Sequence, residues 1–314
     1  MSRVTVAVLT HRRVEFLRNL LPLLLAQAAE VAADGHSAAV LVVDNDPAAG
    51  ARDTVLQAGA ADRLRYVAEP TPGIAAARNR ALEEAAGSDL LVFIDDDERP
   101  HSGWLRALLA TQATTSAALV AGAVVSEFDG ALDPWLSAGA FFARRRLPTG
   151  TRIDVAATNN LLLDLRQLPG TARFDPAFGL SGGEDTLFTR QLAARGLLLV
   201  WCDEAVVTDW VPRDRMTRAW VLRRAFSSGN SRAAVQLALA GGVRERAVGR
   251  VLALGWAAPR VAGGVLRWLL GRVTGRVGWQ AHGLRTAARG AGMAAGAVGH
   301  KYLEYAQPEG GRTA

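Results

Sequence analysis

Five short, almost uninterrupted apolar runs punctuate the first 125 residues, and they limit the fold more than any other feature. They are VTVAVLT (4–10), AVLVVD (39–44), LRYVAE (64–69), LLVFID (90–95) and ALVAGAVV (118–125). Runs of this length, rich in Val, Ile and Leu, read as strands rather than buried helices. A half-exposed strand would alternate apolar and polar residues, whereas a near-continuous run fits a strand covered on both faces. Amphipathic stretches at 14–33, 51–61, 73–87 and 101–112 fill the gaps and read as helices. Strand–helix alternation predicts an α/β fold with βαβ units and a mainly parallel sheet flanked by helices. Half of the 314 residues are apolar, enough for a sizeable core.

The pattern changes further on. Residues 126–180 look irregular, with PWLSAGAFFARRRLPTG at 134–150 and one strand expected at 160–164. GGEDTLFTRQLAARG (182–196) reads as a helix bracketed by glycines, followed by two short strands, LLLVWCD and AVVTDW. From 216 to about 305 the pattern is helical. The expected organisation is therefore a domain over 1–215 and a helical C-terminal extension over 216–314.

Charge divides the chain at the same place. Residues 1–215 hold 21 Arg against 27 Asp and Glu, a net −6, and residues 216–314 carry +12. An acidic front half is a poor partner for nucleic acid and suits a site that gathers carboxylates around a metal. The basic rear half, with Trp256, Trp268 and Trp279 set among arginines, suits an anionic membrane surface. Packing on the front domain, or a homo-oligomer face, is the competing reading. Cys202 is the only cysteine, which rules out an intrachain disulfide and a Cys-based zinc site. The N-terminal apolar run is too short for a secretory leader, and no stretch of about 18 apolar residues is evident. The expected location is cytoplasmic, peripheral on the inner face of the membrane.

Carboxylates sit where the strands end. Asp44 closes the second run and Asp95 the fourth, and ligands of open α/β sheets bind outside the carboxyl ends of strands. An Asp there can also cap the next loop or helix. Three consecutive aspartates, Asp95–Asp97, are harder to explain that way, because like charges repel unless a cation or hydrogen bonds offset them. Common alternatives fail. The only lysine is Lys301, so there is no P-loop, and GAGMAAG (290–296) follows no strand and has the wrong spacing for a dinucleotide fingerprint.

What remains is an ordered set: VAVLTHRR, VVDND, GIAAARNRAL, FIDDDERP, TNN at 158–160 and FDPAFGLSGGEDTLF. Over residues 3–230 this order resembles the inverting family-2 glycosyltransferases of the GT-A fold. The resemblance implies transfer of a sugar from a UDP-, dTDP- or GDP-sugar to a glycan, lipid-linked or small-molecule acceptor, assisted by Mg2+ or Mn2+. It makes Asp97 the direct metal ligand, with Asp95 and Asp96 bonding the ribose or metal waters and Asp95 close enough to share the metal. It places Asp44 at the base, with Thr10 and Arg13 beside it in the donor site, and Arg78 near the donor, with a solvated helix-face arginine as the alternative. Relatives often carry a second metal-binding His in a V-x-H-x-x-P context; here VVTDWVP puts Asp209 at that place, as a substitute ligand or a surface residue. Asp185 takes the acceptor proton, with Glu184 beside it. His11 lines the pocket, Trp104 and Phe174 read as core, and Trp135 is a candidate for stacking on an acceptor. The alternatives are a polyprenyl-phosphate sugar transferase, a nucleotidyltransferase lacking its usual Lys-bearing loop, and a non-catalytic sugar-nucleotide or glycan-binding module.

Overall fold

The computed structural model describes residues 1–60 and 62–304. Two compact units make up the chain. The first comprises Met1–Glu127, Ala143–Pro176 and Phe188–Trp210, and the second Phe128–Phe142, Ala177–Leu187 and the chain from Val211 onward.

In chain order the elements are β1 (Arg3–Thr10), α1 (Val14–Ala33), β2 (Ser37–Asp44), α2 (Arg52–Gln57), β3 (Leu64–Ala68), α3 (Ile74–Glu84) and β4 (Leu90–Asp95). Next come β5 (Glu98–Pro100), α4 (Trp104–Thr115), β6 (Leu119–Phe128), α5 (Pro134–Ala138), β7 (Arg152–Ile153) and β8 (Asn160–Asp164). The chain continues through α6 (Glu184–Ala194), β9 (Leu199–Val211), α7 (Arg218–Ala238), α8 (Val243–Val273) and α9 (Val277–Ala297). All five apolar runs are strands, and the expected strand at 160–164 is β8.

Among the described residues one nine-stranded sheet forms, ordered β3-β2-β1-β4-β8-β6-β9-β5, with β7 paired to β9. The first four strands in that order are mutually parallel. β8 joins β4 antiparallel and β6 joins β8 antiparallel, so the sheet is mixed. The two strands expected over LLLVWCD and AVVTDW are one strand of 13 residues, β9. Between Trp201 and Val207 there is no Gly, Pro or Asn to turn the chain, and it simply runs on extended.

Successive residues of the central strands face opposite sides of the sheet. Val6, Val8, Val40, Val42, Val92 and Ile94 pack against Leu17, Leu20 and Leu24 of α1 and Leu105 and Leu108 of α4. Ala7, Leu9, Leu41, Val43, Leu91 and Phe93 pack on the other face against Ala75, Ala77 and Ala81 of α3 and against Phe174 and Phe188. Trp104 and Phe174 are fully buried, as expected. α1 is long and apolar enough to cross a membrane by length and composition, contrary to the expectation that no stretch reaches that length. Its Leu17, Leu20, Leu21, Leu24, Ala28 and Val31 recur at helical spacing and are buried, as in any core helix.

Polar side chains tie this core together. Asn160 donates to the carbonyls of Ala123 (3.0 Å) and Ala205 (2.8 Å) and accepts from the Trp104 indole (2.9 Å). Gly122 is required beside it, since a Cβ there would collide with the Asn160 amide. Cys202 is buried, its sulfur accepting from Thr111 at 3.2 Å, and burial pushes its thiol pKa up.

The second unit packs its helices by a different rule. α8 buries only Gly249, Ala253, Ala257, Gly264 and Gly271. A Cβ on Gly264 would lie 2.6 Å from the Ala287 nitrogen, and one on Gly283 would lie 2.5 Å from the Trp268 nitrogen. Backbones of α8 and α9 therefore approach as only glycine allows. Trp135 belongs to this unit's core: it is 4% exposed and stacks on Phe141 with ring centres 5.0 Å apart. Its burial leaves no ring face for an acceptor sugar, which corrects the stacking assignment.

Candidate functional site

Strand register in the first unit sets the site. Thr10 lies opposite Asp44 across β1 and β2, and Leu9 lies opposite Asp95 across β1 and β4. Three adjacent parallel strands thus end with polar groups at one edge, and the loops after them carry the remaining side chains.

The loop after β4 is held by the loop after β1. The Thr10 hydroxyl donates to Asp96 at 2.8 Å, and Arg13 donates to Asp96 at 3.1 Å and to Asp97 at 3.0 Å. Burial is the main influence on Asp96 and raises its pKa to about 6, with Arg13 and Thr10 opposing and Asp97 adding to the rise. Burial lowers the affinity of Arg13 for its proton, but Asp96, Asp97 and Asp95 outweigh it, so its pKa is raised.

Glu98, next in the chain, is almost fully buried. One oxygen accepts from the Asp95 amide at 3.2 Å and the other from Asn159 at 2.6 Å. Burial first, and then the charge of Asp95, push the Glu98 carboxyl well above the usual range, and Asp97 and Asp209 push in the same direction. Asp209 faces Glu98 across the β5–β9 ladder and accepts from Arg144 at 2.7 Å. The structure therefore brings Asp95, Asp97 and Asp209 around Glu98, a residue that sequence reasoning missed. Only its place after the aspartate triplet could have hinted at it.

Among the described residues no three His, Cys, Asp or Glu side chains are arranged as a ready-made metal site. Even so, the donor set suits a hard divalent cation. All the groups are oxygen donors, and each of Asp97 and Asp209 already attracts a guanidinium. The repulsion felt at Glu98 marks this spot as one where positive charge is favoured.

Asp44 is fully buried, and both its oxygens serve the fold. They accept from the amides of Asp46 (3.0 Å) and Ala51 (2.9 Å) and from the Tyr66 hydroxyl (3.0 Å). Burial, then the bond to Asp44, raises the Tyr66 pKa to about 12. Asn45, also unforeseen, clasps the next loop. It donates to the carbonyls of Glu69 (2.8 Å) and Thr71 (2.7 Å) and accepts from the Gly73 amide (3.1 Å). Gly73, at φ 114, then starts α3. His11 touches the Asn45 carbonyl at 2.9 Å. Arg78 is buried rather than solvated, with its guanidinium 5.7 Å from the centre of the Phe174 ring. Its neighbour Asn79 pins Phe174 through two backbone hydrogen bonds.

Glu184 and Asp185 lie in the second unit, in the first turn of α6. Gly182 (φ 74) and Gly183 (φ 97) take left-handed conformations just before them. A side chain at Gly183 would also press on Ser231 and Val235 at 3.2 Å. Asp185 accepts from the Thr186 amide. Glu184 is buried.

Residues 5–164 match the model of a family described as glycosyl transferase family 2. The succinoglycan biosynthesis protein ExoM of Rhizobium meliloti is 34% identical over 246 residues, covering 77% of this chain and 78% of that protein. The glycosyltransferase AglE of Haloferax volcanii is 28% identical over 169 residues, covering 53% of this chain and 55% of that protein. Among solved structures, the mannosyltransferase PcManGT of Pyrobaculum calidifontis, in complex with GDP-Man and Mn2+, is similar. Its TM-score is 0.60 at 18% identity, over 94% of this chain and 87% of that one. At that identity the likeness concerns the fold, the GT-A type that the sequence resemblance implied, and the C-terminal helices are those read from the pattern after residue 216.

Proposed function

The chain belongs to glycosyl transferase family 2 and is a glycosyltransferase, and from that premise we propose inverting transfer from a nucleoside-diphosphate sugar, assisted by Mg2+ or Mn2+. The observation that carries the reading is the crowding of Asp95, Asp97 and Asp209 around buried Glu98. Asp97, with Asp95 and Asp209, would hold the cation. When bound, it offsets the charge developing on the leaving diphosphate. The Mn2+ in the similar mannosyltransferase structure supports this choice.

The chain's own residues supply the rest. Thr10 and Arg13 fix the Asp96–Asp97 loop. Asp96 faces the ribose. Asp44 shapes the loop that meets the base, and Arg78 adds positive charge near the phosphates. Attack by the acceptor needs a base, because an alcohol is a weak nucleophile at neutral pH. Asp185, in the first turn of α6, takes the hydroxyl proton, and Glu184 is the second candidate. The likeness to ExoM, a succinoglycan biosynthesis protein, supports a glycan acceptor and a role in polysaccharide biosynthesis.

Thermal shift with a panel of UDP-, dTDP- and GDP-sugars, with and without Mn2+, tests the donor site. A donor at a hundredfold its dissociation constant stabilises by about 2.7 kcal/mol. Asp97→Ala should abolish the Mn2+-dependent shift. Asp185→Asn should retain it while turnover falls by about 10²–10⁴. A shift that survives chelation overturns the metal assignment. Wild-type turnover in Asp185→Asn overturns the base assignment.

A further inference from the structure

α8 is inside out for a helix in water. It buries only glycine and alanine, and its large apolar residues point outward. Val248, Leu252, Leu266, Leu269, Leu270 and Val273 are all exposed. With Gly255, Pro259 and Ala262, also exposed, they recur every three or four residues and form one apolar stripe along the helix. A soluble helix turns such a stripe to the core, and large exposed apolar patches mark interaction surfaces.

Beyond the first turn, where exposed Arg244 continues the stripe, the arginines sit elsewhere. By helical spacing Arg246, Arg250, Arg260 and Arg267 fall away from the stripe, towards the buried side of α8. Arg260 lies 5.3 Å from the Trp256 ring centre, and Arg276 lies 4.9 Å from that of Trp279. Arg232, Arg260 and Arg285 surround Arg289. Burial and then these three cations lower the Arg289 pKa, so like charges are packed there against their own repulsion. From 216 to 304 the sequence offers only Glu245 and Glu304 to offset them. An apolar stripe flanked by arginines, with Trp at the margins, is the pattern of a helix lying in a lipid interface.

We propose that the outward face of α8 docks on an anionic bilayer, with the Leu252–Val273 stripe in the acyl boundary and the flanking arginines at the headgroups. A second copy of this chain fits the face poorly, because it would bring one strongly basic surface against another. A span across the bilayer does not fit either, because α8 carries six arginines over its length.

The full chain is floated with vesicles of pure phosphatidylcholine and of phosphatidylcholine mixed with phosphatidylglycerol. Flotation is expected with the anionic vesicles only and should weaken as salt rises. Leu252→Ser/Leu266→Ser/Leu269→Ser should lose it. These side chains are exposed, so helical content by circular dichroism should stay unchanged. Arg260→Gln/Arg267→Gln/Arg272→Gln keeps the stripe and should weaken partitioning by about fivefold per arginine. The proposal is overturned by no flotation, by equal flotation with both vesicles, or by stripe and arginine variants that float like wild type. It is also overturned if light scattering shows a lipid-free dimer that the stripe variant dissociates, which would make this face a contact between copies.

Discussion

The two units bury opposite things. In the first, Phe93, Trp104, Phe174 and the leucines of α1 fill the interior, and most surface arginines face a carboxylate, as Arg106 does with Glu30 and Asp34. In the second, α8 and α9 meet through Gly264, Gly271, Gly283 and Gly290, and the leucines of α8 lie outside. The first arrangement draws its stability from apolar area removed from water. The second draws on close backbone contact, the packing typical of helices whose outer faces meet lipid. One chain can hold both because an outward leucine stabilises nothing in water and is free to serve a surface.

The sharpest way to break the contrast is to delete mass where it should matter most. Phe93→Ala, in the middle of the sheet, should cost about 3–5 kcal/mol of unfolding free energy. A loss under about 1 kcal/mol in a denaturant titration would mean that the first unit is not held by its large side chains.

Adding mass tests the other unit. Gly264→Ala adds one methyl where the Ala287 backbone lies 2.6 Å from the new atom, and it should cost about 1–3 kcal/mol. A neutral or stabilising result, which helix propensity alone would favour, would show that α8 and α9 do not rely on close approach.

Charge pairing separates the units more gently. Asp164 is buried; burial works to raise its pKa, but bonds from Arg166 and Gln167 win, and it is lowered. A lowered carboxyl stabilises the fold above its unfolded value, near 3.8, and that stability is lost as pH falls through the folded value. Asp164→Asn should therefore cost about 1 kcal/mol at neutral pH, and the difference from wild type should shrink below pH 3.8. A difference that is constant from neutral to acid pH would remove the ion pair from the account.

The smallest effect is the most telling. Leu266→Ala removes a whole side chain from α8 yet should change stability in detergent-free buffer by less than about 0.5 kcal/mol. If it costs as much as Gly264→Ala, the stripe is covered in solution.

The first unit was largely legible in the sequence because its strands are continuous apolar runs and its helices have one apolar face. The aspartates at strand ends were legible for a related reason: a charged group directly after a run such as LLVFI has few structural uses. The bonds of Asn45, Asn79 and Asn160 were not, although each residue lies in one of the ordered motifs. Each closes a loop or clips a sheet through bonds to distant carbonyls, and no periodicity marks a residue whose partners lie far along the chain. β5 and β7 were missed because strands of three and two residues carry no alternation to detect. Trp135 shows the limit of reading aromatics in an irregular segment: Asp133 caps α5 and turns the ring inward. For α8, periodicity revealed a helix but not its orientation, because the inner face is made of the small residues that a hydrophobic pattern scores least.

Cys202 has a practical consequence. It is the chain's only sulfhydryl, shielded from solvent and less acidic than a free thiol. The native protein is therefore nearly blank to maleimide and nitroxide reagents. A cysteine introduced at Leu269 would be the one fast-reacting handle, and its spin-label spectrum or fluorophore emission would report whether that position meets water, lipid or protein without any other residue being replaced.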